Sequence, residues 1–518
     1  MLLHAGYKDY DFLFLSSEKG LTKALGGLFD EAIHLLGVEP QKMLHIGDNY
    51  ESDIRRARLK GIRAFHLDKL SNAFTETIVG KRFAKKSLYP IRWEKSHLLR
   101  KDRSLDFWLT IWRGLSTNRS ACRNDDFFFR LGYDHVGMLL LGFCLWLNDE
   151  ANNLGISNLY FFARDGHILR QAYERLGRHG IVDGFNAQYL FASRRAMNLP
   201  AITQVDERSC DFLVSGTSCL TVGEFLKRAG MNPESFELEI RSVGFQGAYQ
   251  RVDSRKDYKL LRALFRILEP KLLTISREER RLLIQYWRQE GVFDSKHCGI
   301  VDIGWHGSLQ DSFSELLRLE GYEGRVTGFY LGTYPAAKDR EARGARHRAY
   351  LFQGGEPKDQ LNSVKGCVEL FEWFFSAPHG SVLGFSKDGS GSMIPILESG
   401  SLEVVREENS ARVQSGALAF VDDILSGLPS GVKPPDVPPW LSIALIDGLI
   451  HHPTIEEAHL LGEIRHAEGF GGVSQARPLI SPIPSLWNPL NFCRIPKAYR
   501  NSFWRAGYRR KLLAKVLI

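Results

Sequence analysis

Four residues among the first 60 have the side chains that phosphoryl transfer requires. Ser16 and Lys23 lie in FLFLSSEKGLTK, and Asp48 and Asp53 lie in MLHIGDNYESD. A hydroxyl group can hold a phosphate oxygen, and a lysine can offset the negative charge that develops during transfer. Two carboxylates at the end of a sheet can hold Mg²⁺, a hard cation that prefers oxygen ligands. The segment therefore predicts a phosphate and magnesium site, in which Gly47 permits a tight turn beside the metal.

Short strands and helices alternate around these residues. The apolar pattern predicts a buried strand at 11–16, a helix at 22–36 and a second strand at 43–47. A short helix at 51–60 and a third strand at 62–67 follow. Such alternation predicts a parallel α/β sheet with the four side chains in loops and helix starts after its strands.

The order of these motifs resembles the haloacid dehalogenase (HAD) superfamily of phosphohydrolases over roughly residues 10–70. The resemblance implies that Ser16 binds phosphate and that Lys23 is the catalytic lysine. It also implies that Asp48 and Asp53 support the metal, with Mg²⁺ as the cofactor.

Local alternatives exist for three of these assignments. Lys19 is close enough in sequence to be a second candidate for the lysine. Ser16 could be an ordinary helix cap. Asp53 could be an acid that complements the dipole at the start of a helix.

The chain departs from the superfamily pattern at the position of the nucleophile. That nucleophile is an aspartate of a DxD motif, at the end of a strand that precedes the position of Ser16. A DYD triplet, Asp9 to Asp11, precedes Ser16, but here the apolar run follows the triplet. Without the aspartate no covalent phospho-enzyme forms, so we expect little phosphatase turnover. Three explanations stay open: a start further upstream, a strand supplied by another chain, or an inactive remnant.

Two later loops each follow an apolar strand and open a helix, FFARDG at 161–166 and VDIGWHGSLQ at 301–310. Glycines let backbone N–H groups approach an anion, and a helix N-terminus adds a positive end. Arginines could clamp a phosphate, and an aspartate could accept a hydrogen bond from a hydroxyl group or bind a metal ion. The alternative is that Asp165 and Asp302 cap helices and that the glycines serve turns. The candidate ligand-binding residues are Arg164, Asp165, Gly166, Asp302, Gly304, Gly307 and Ser308, with Arg194 and Arg195 as further members of the clamp.

A wider resemblance covers about residues 10–385. The HAD-like segment combined with LYFFARDGHIL, VDIGWHGSLQ and ELFEWFFSAPHGSV resembles a predicted-hydrolase family of bacterial surface-polysaccharide loci, some of whose members are fused to glycosyltransferases. It implies a phosphorylated or nucleotide-linked sugar as ligand and a glycosyltransferase as partner. Two rival functions stay open: a non-catalytic assembly or docking subunit, and a sugar-phosphate or nucleotide-sugar transferase that acts through the second domain.

The charge of the chain is concentrated at its C-terminus. Basic residues exceed acidic ones by 68 − 60 = +8, and residues 494–518 hold eight basic residues and no acid. The remainder is neutral, which argues against a nucleic-acid-binding protein. The basic and aromatic tail suits an anionic membrane surface, a solvated terminal helix or a docking arm.

The cysteines and the apolar stretches indicate in which cellular compartment the protein is expected. The seven cysteines are scattered and form no CxxC pair, which favours a reducing environment. The longest apolar stretch, at 137–147, is far shorter than the roughly 20 residues of a spanning helix. We therefore expect a cytoplasmic protein, with peripheral contact at the inner face of a membrane as the only membrane association.

The predicted organisation begins with an incomplete HAD-like parallel sheet at 1–80 and a basic linker at 81–103. A second, larger α/β domain follows at 104–385. A mainly helical region at 386–518 contains a Pro/Gly break at 426–440.

Two smaller features have local explanations. Glu456 and His459 have the ExxH spacing of metal ligands on a helix. However, Thr454 and Glu457 form a capping box, which explains the acids locally. The aromatic run FEWFF at 371–375 is predicted to be core rather than a sugar-stacking platform.

Overall fold

A computed structural model describes residues 10–66, 107–108, 111, 115, 126–182, 186–215, 219–398, 401–470, 473–485 and 489–517. The predicted basic linker at 81–103 lies outside these residues. The chain divides into two compact units, one of Met1–Ala84 with Asp106–Cys122 and the other of Lys85–Leu105 with Arg123–Ile518.

The described part of the first unit is a small parallel sheet packed with helices. Its strands, β1 (Leu44–Gly47) and β2 (Arg63–His66), pair in parallel. Phe29, Ala57 and Ile62 form its core. Its helices are α1 (Ser16–Lys19), α2 (Gly27–Leu36), a 3-10 turn (Pro40–Lys42), a π-helical turn (Tyr50–Arg55) and α3 (Arg56–Leu59).

The predicted strand at 11–16 is wrong. Residues 12–15 have no regular structure, and Ser16 begins helix α1. The apolar side chains of Phe12, Leu13 and Leu15 are exposed. No described strand pairs with this segment, so the apolar run lacks the neighbours that would bury a strand of a parallel sheet. The predicted strand at 43–47 is confirmed as β1.

The second unit contains eleven strands among its described residues. In chain order they are β3 (Asn158–Phe162), β4 (Asn186–Leu190), β5 (Cys219–Thr221), β6 (Arg251–Asp253), β7 (His297–Trp305), β8 (Arg325–Thr333), β9 (Arg346–Phe352), β10 (Val382–Lys387), β11 (Met393–Leu397), β12 (Arg465–Phe470) and β13 (Val473–Pro478).

Helices make up most of the rest of this unit. They are α4 (Phe127–Leu131), a π-helical turn (Gly132–Val136), α5 (Gly137–Asn153), α6 (Gly166–Arg178), α7 (Arg194–Asn198), α8 (Glu207–Val214), α9 (Val222–Arg228), α10 (Glu237–Ser242), α11 (Tyr258–Ile267), α12 (Glu269–Gln289), α13 (Ser308–Leu319), α14 (Ala337–Ala342), α15 (Lys358–Lys365), α16 (Val368–Phe375), α17 (Ser401–Ser426), α18 (Pro439–His451), α19 (Ile455–Leu460), α20 (Ile495–Asn501) and α21 (Arg505–Leu517).

The central sheet of the second unit has five strands in the order β4-β3-β7-β8-β9, and every neighbouring pair is parallel. β3 and β7 are buried along almost their whole length. Burial on both faces explains why their sequences are nearly unbroken apolar runs rather than alternating ones. The α/β class that the sequence predicts is confirmed.

The remaining strands form antiparallel pairs outside the central sheet. β5 pairs with β6 in the insertion between β4 and β7, which has an apolar core of its own. β10 pairs with β11, and β12 with β13. The sequence predicts one helix over 451–466. In the structure α19, begun by the predicted capping box between Thr454 and Glu457, is followed by a 3-10 turn (Leu461–Glu463) and then by β12.

One helical stretch, Phe127–Asn153, is long and apolar enough to cross a membrane by length and composition, and 83% of its most apolar window is buried inside the protein. Burial of this kind is what a core helix of a globular protein shows. The apolar stretch read from the sequence, 137–147, is shorter than this helical stretch because α4, the π-helical turn and α5 run together. This is the one such stretch among the described residues.

Candidate functional site

In the first unit, a lysine and a buried aspartate from separate segments meet beside the end of β1. Lys23 Nζ lies 2.5 Å from Asp53 Oδ1, and the Asp53 side chain is only 2% exposed. The backbone N–H of Asn49 donates to Asp53 Oδ2 at 3.0 Å, and His45 Nε2 lies 3.3 Å from Oδ1. Both carboxylate oxygens therefore have partners, which a buried carboxylate requires.

The local sequence explains why Asp53 can sit there. It belongs to the π-helical turn after β1, whose N-cap, Asn49, accepts a hydrogen bond from the backbone N–H of Ser52. Gly47 ends β1, and a Cβ at this position would lie 2.4 Å from Asp53 Cβ. A residue with a side chain at position 47 would therefore push the Asp53 carboxylate out of its place.

The pKa of Asp53 is lowered from its ordinary value although burial raises it. Hydrogen bonds from Lys23 and from the Asn49 N–H outweigh the effect of burial. A further hydrogen bond from His45 and the charge of Lys23 act in the same direction. Asp53 is therefore an anion that fixes the Lys23 ammonium group at the edge of the sheet.

The structure separates the two candidate lysines. Lys19 Nζ lies 2.8 Å from Glu31 Oε1, on the first turns of α2, whereas Lys23 contacts Asp53. Lys23 is 43% exposed, so its ammonium group is open to solvent on one side. Of the two lysines, Lys23 is the one in contact with a predicted site residue.

The other two predicted residues of this unit lie at its surface. Asp48 is exposed and directly follows β1, and its backbone carbonyl accepts from His66 Nε2 at 3.1 Å. Ser16 is exposed at the first position of α1. Within residues 10–66, no hydrogen bond or ion pair joins Ser16 to Lys23 or Asp53, so the described contacts bring together Lys23 and Asp53 but not Ser16.

The carboxylates beside the end of β1 are oxygen ligands of the kind that a hydrated hard cation prefers. The oxygens of Asp53 are already engaged by neighbouring groups, and Asp48 adds a second carboxylate, which is exposed directly after β1. Mg²⁺ commonly keeps several waters and takes one or two carboxylates together with substrate phosphate. Among the described residues, no group of three or more histidine, cysteine, aspartate or glutamate side chains could hold a metal ion. The residues therefore fit Mg²⁺ only as part of a set that phosphate completes.

In the second unit, both predicted loops lie at the same edge of the central sheet. After β3 the chain runs to β4 on one side, and it later returns to place β7 on the other side of β3. The carboxyl ends of β3 and β7 therefore flank the point where the strand order reverses. Ligands of open α/β sheets bind in the crevice at such a point. Arg164 and Asp165 follow β3, and His306 and Gly307 follow β7.

A buried carboxyl group lies next to this crevice. Asp302 is on β7, only 7% exposed, and its Oδ1 accepts the N–H of Ile303 at 2.8 Å. Burial, and then the charges of Asp165 and Glu372, raise the pKa of Asp302 well above its ordinary value. The Trp305 indole N–H donates to Glu372 Oε1 at 3.2 Å. Asp302 therefore interacts electrostatically with two other acids, and its surroundings favour the protonated carboxyl group.

The capping alternative for the two aspartates is only partly consistent with the structure. Asp165 occupies the N-cap position of α6, but its side chain makes no capping hydrogen bond. Asp302 lies within β7, and the N-cap of α13 is Gly307, so capping by Asp302 is wrong. Neither helix has a side-chain cap, which leaves its first N–H groups to other acceptors. Gly166 and Ser308 are the first residues of these helices.

The two arginines of the SRR segment differ in their surroundings. Arg195 is 7% exposed and donates through both terminal nitrogens to the Glu279 carboxylate. This pair engages two of the five N–H donors of Arg195 and directs its guanidinium group towards Glu279. Arg194 is exposed. Partial burial, with the charges of Arg340 and Arg194, lowers the pKa of His306, so Arg194 acts electrostatically on the loop after β7.

Sequence reasoning missed three residues of these sites. His45 and Asn49 hold Asp53, and the charge of Glu372 acts on Asp302. An acid among the aromatic residues of FEWFF was a signal for Glu372, since an acid in a largely buried helix needs a partner. The four aromatic residues of FEWFF are buried, as the sequence predicts. Within the described residues the ExxH pair Glu456 and His459 belongs to no metal-binding group.

Comparison with known proteins supports a HAD-like segment. No protein-family model matches the chain. The chain is 41% identical over 58 residues to haloacid dehalogenase-like hydrolase domain-containing protein 3 of Bos taurus, which covers 11% of this chain and 23% of that protein. It is 37% identical over 60 residues to phosphoserine phosphatase of Thermus thermophilus, which covers 12% of this chain and 24% of that protein. The chain thus spans about a quarter of the length of these curated relatives, and it contains a region similar to HAD-like hydrolases.

Proposed function

We propose that the first unit is the phosphate-facing half of a HAD-type phosphoryl-transfer site. The observation that supports the proposal most directly is the contact of Lys23 with the buried Asp53 at the end of β1. A fixed ammonium group offsets the charge of a phosphoryl group without reorganisation at the moment of transfer. In this proposal Asp53 holds Lys23, and Ser16 supplies an oxygen to the phosphate.

Mg²⁺ belongs to this proposal as the cation that Asp48 would hold together with water and phosphate. Bound there, it would neutralise charge on the phosphoryl oxygens. The likeness to HAD hydrolases, one of them named a phosphatase, supports this assignment. Lys23 would approach the same phosphoryl group from the turn before α2.

The proposed chemistry still needs a nucleophile. Residues 10–66 contain no strand that leads into a DxD motif, so within the described residues the proposed site lacks the aspartate of a covalent phospho-enzyme. We therefore propose that the chain, as its sequence stands, binds phosphate and Mg²⁺ but turns over phosphomonoesters slowly.

We further propose that the second unit binds a phosphorylated or nucleotide-linked sugar in surface-polysaccharide metabolism. The crevice between β3 and β7 supports this idea because both glycine-bearing loops and Arg164 lie beside it. The sugar itself rests on the sequence resemblance alone. A glycosyltransferase partner, a transferase reaction in this crevice and a purely docking role are the alternatives.

Two assays test these proposals separately. Generic phosphomonoesters with Mg²⁺ should give turnover close to background, and robust turnover abolished by Asp48→Ala would refute the slow-turnover proposal. Calorimetry with nucleotide sugars and sugar phosphates tests the second unit. Binding should be lost in Arg164→Ala and kept in Arg255→Ala, an exposed arginine of the insertion; the same affinity in both variants would refute the crevice as the site.

A further inference from the structure

The C-terminal helix α21 has one face packed against protein. The indole N–H of Trp504, directly before the helix, donates to the carbonyl of Ile450 at 2.7 Å. Tyr508 is fully buried, and Lys511 pairs with Glu463. The aromatic residues that the sequence offers for surface contact are thus partly used to anchor the helix.

The opposite face of α21 is exposed and combines arginines with apolar residues. Arg505, Arg509, Leu513 and Val516 follow one another at intervals of four, four and three residues, which places them on one side of a helix. Leu513 is 54% exposed and Val516 is 64% exposed. Arg510 is exposed beside them. These five residues are called the outer face of α21.

The chain that carries the outer face is basic, and the acid that pairs with α21, Glu463, does so at Lys511. Residues 494–518 contain no acid. Arg494, Lys497 and Arg500, all exposed, precede the helix. The Arg505 guanidinium lies 5.9 Å from the ring centre of Tyr499, which ties α20 to the start of α21.

We propose that the outer face of α21 binds the surface of an anionic lipid bilayer. Clustered arginines are attracted to anionic headgroups, and exposed Leu513 and Val516 gain from entering the interface between headgroups and acyl chains. A single-stranded nucleic acid fits the outer face less well because bases stack on exposed aromatic rings, which the five residues of this face lack. Trp504 and Tyr508 are buried and cannot provide them.

Vesicle co-sedimentation of the full chain tests the proposal. Vesicles of phosphatidylcholine with about 30% phosphatidylserine should capture the chain, vesicles of phosphatidylcholine alone should not, and added salt should weaken capture. The variant Arg505→Glu, Arg509→Glu, Arg510→Glu should bind at least about a hundredfold more weakly, since each basic residue near an anionic surface contributes about fivefold.

Matched control variants distinguish the effect of the outer face of α21 from the effect of the overall charge of the chain. The variant Arg255→Glu, Lys256→Glu, Lys259→Glu changes the charge equally at exposed positions of the insertion and should keep vesicle binding. The variant Leu513→Ser, Val516→Ser should keep the salt dependence and bind more weakly. Equal loss in both charge-reversed variants, no capture of the wild-type chain, or stronger binding to a DNA oligonucleotide than to anionic vesicles would overturn the proposal. Circular dichroism must show the same helix content throughout.

Discussion

Lys23 and Asp53 form an ion pair with 2.5 Å between Nζ and Oδ1, while the nearby Lys19 pairs with Glu31. The pair joins the turn before α2 to the π-helical turn after β1. Asp53 is buried and Lys23 is half-exposed, so the buried carboxylate holds the Lys23 ammonium group in place at the surface. The geometry of the proposed phosphate site depends on this relationship.

Replacing the buried carboxylate should weaken the first unit in a pH-dependent way. The pKa of Asp53 is lowered in the folded chain. Its contribution to stability is therefore present above the unfolded pKa of about 4 and is lost as pH falls through the lower, folded pKa. Asp53→Asn should lower stability at pH 7 by about 1–3 kcal/mol. Hydrogen exchange of β1 amides at pH 7 and pH 3 measures both effects. If Asp53→Asn lost as much stability between pH 7 and pH 3 as the wild type does, the expected role of Asp53 would be contradicted.

Adding one methyl group at Gly47 should displace Asp53. A Cβ there would lie 2.4 Å from Asp53 Cβ, whereas a Cβ at Gly389 would meet no atom within 4 Å. Gly47→Ala should lower stability by about 1–3 kcal/mol through overpacking. Gly389→Ala should stay within about 0.5 kcal/mol of the wild type. Thermal unfolding compares the two variants, and equal melting temperatures would show that the loop tolerates a side chain at position 47.

The buried acid of the second unit should make stability fall as pH rises. The pKa of Asp302 is raised by burial and by Asp165 and Glu372. Below the unfolded pKa of about 4, Asp302 is protonated in both states and does not change the free energy of unfolding. The free energy of unfolding declines as the pH rises from that value towards the higher folded pKa. Asp302→Asn keeps an acceptor for the Ile303 N–H and removes the titration. Its stability relative to wild type should therefore increase from pH 4 to pH 8 in thermal melts, and a constant difference would contradict the assignment.

Two adjacent arginines should behave differently on removal. Arg195→Met leaves the Glu279 carboxylate without its partner in a largely buried place. We expect a loss of about 3 kcal/mol in unfolding free energy. Arg194→Met removes an exposed guanidinium and should change stability by no more than about 0.5 kcal/mol. Urea unfolding distinguishes them, and similar losses in both variants would place Arg194 in the structural network as well.

The sequence predicts the central parallel strands and the loops at their ends because apolar runs bounded by glycine are strong local signals. β3, β7 and the capping box at Thr454 follow from such signals. The strand at 11–16 does not form, because strand formation depends on a neighbour to pair with, which local composition does not reveal. The Arg195–Glu279 pair was equally hidden, since its partners are far apart in sequence. Glu372 was visible only as one of two acids in an otherwise apolar helix.

Calorimetric titration of inorganic phosphate with Mg²⁺ is the most direct test of the central claim. Lys23→Met and Lys19→Met remove the same charge from neighbouring turns, so they form a matched pair. Phosphate should bind to the wild-type chain and to Lys19→Met, and binding to Lys23→Met should be about tenfold weaker or more, as expected for a lost charge-assisted hydrogen bond. Equal phosphate affinity in the two variants, with the first unit folded in both, would contradict the account.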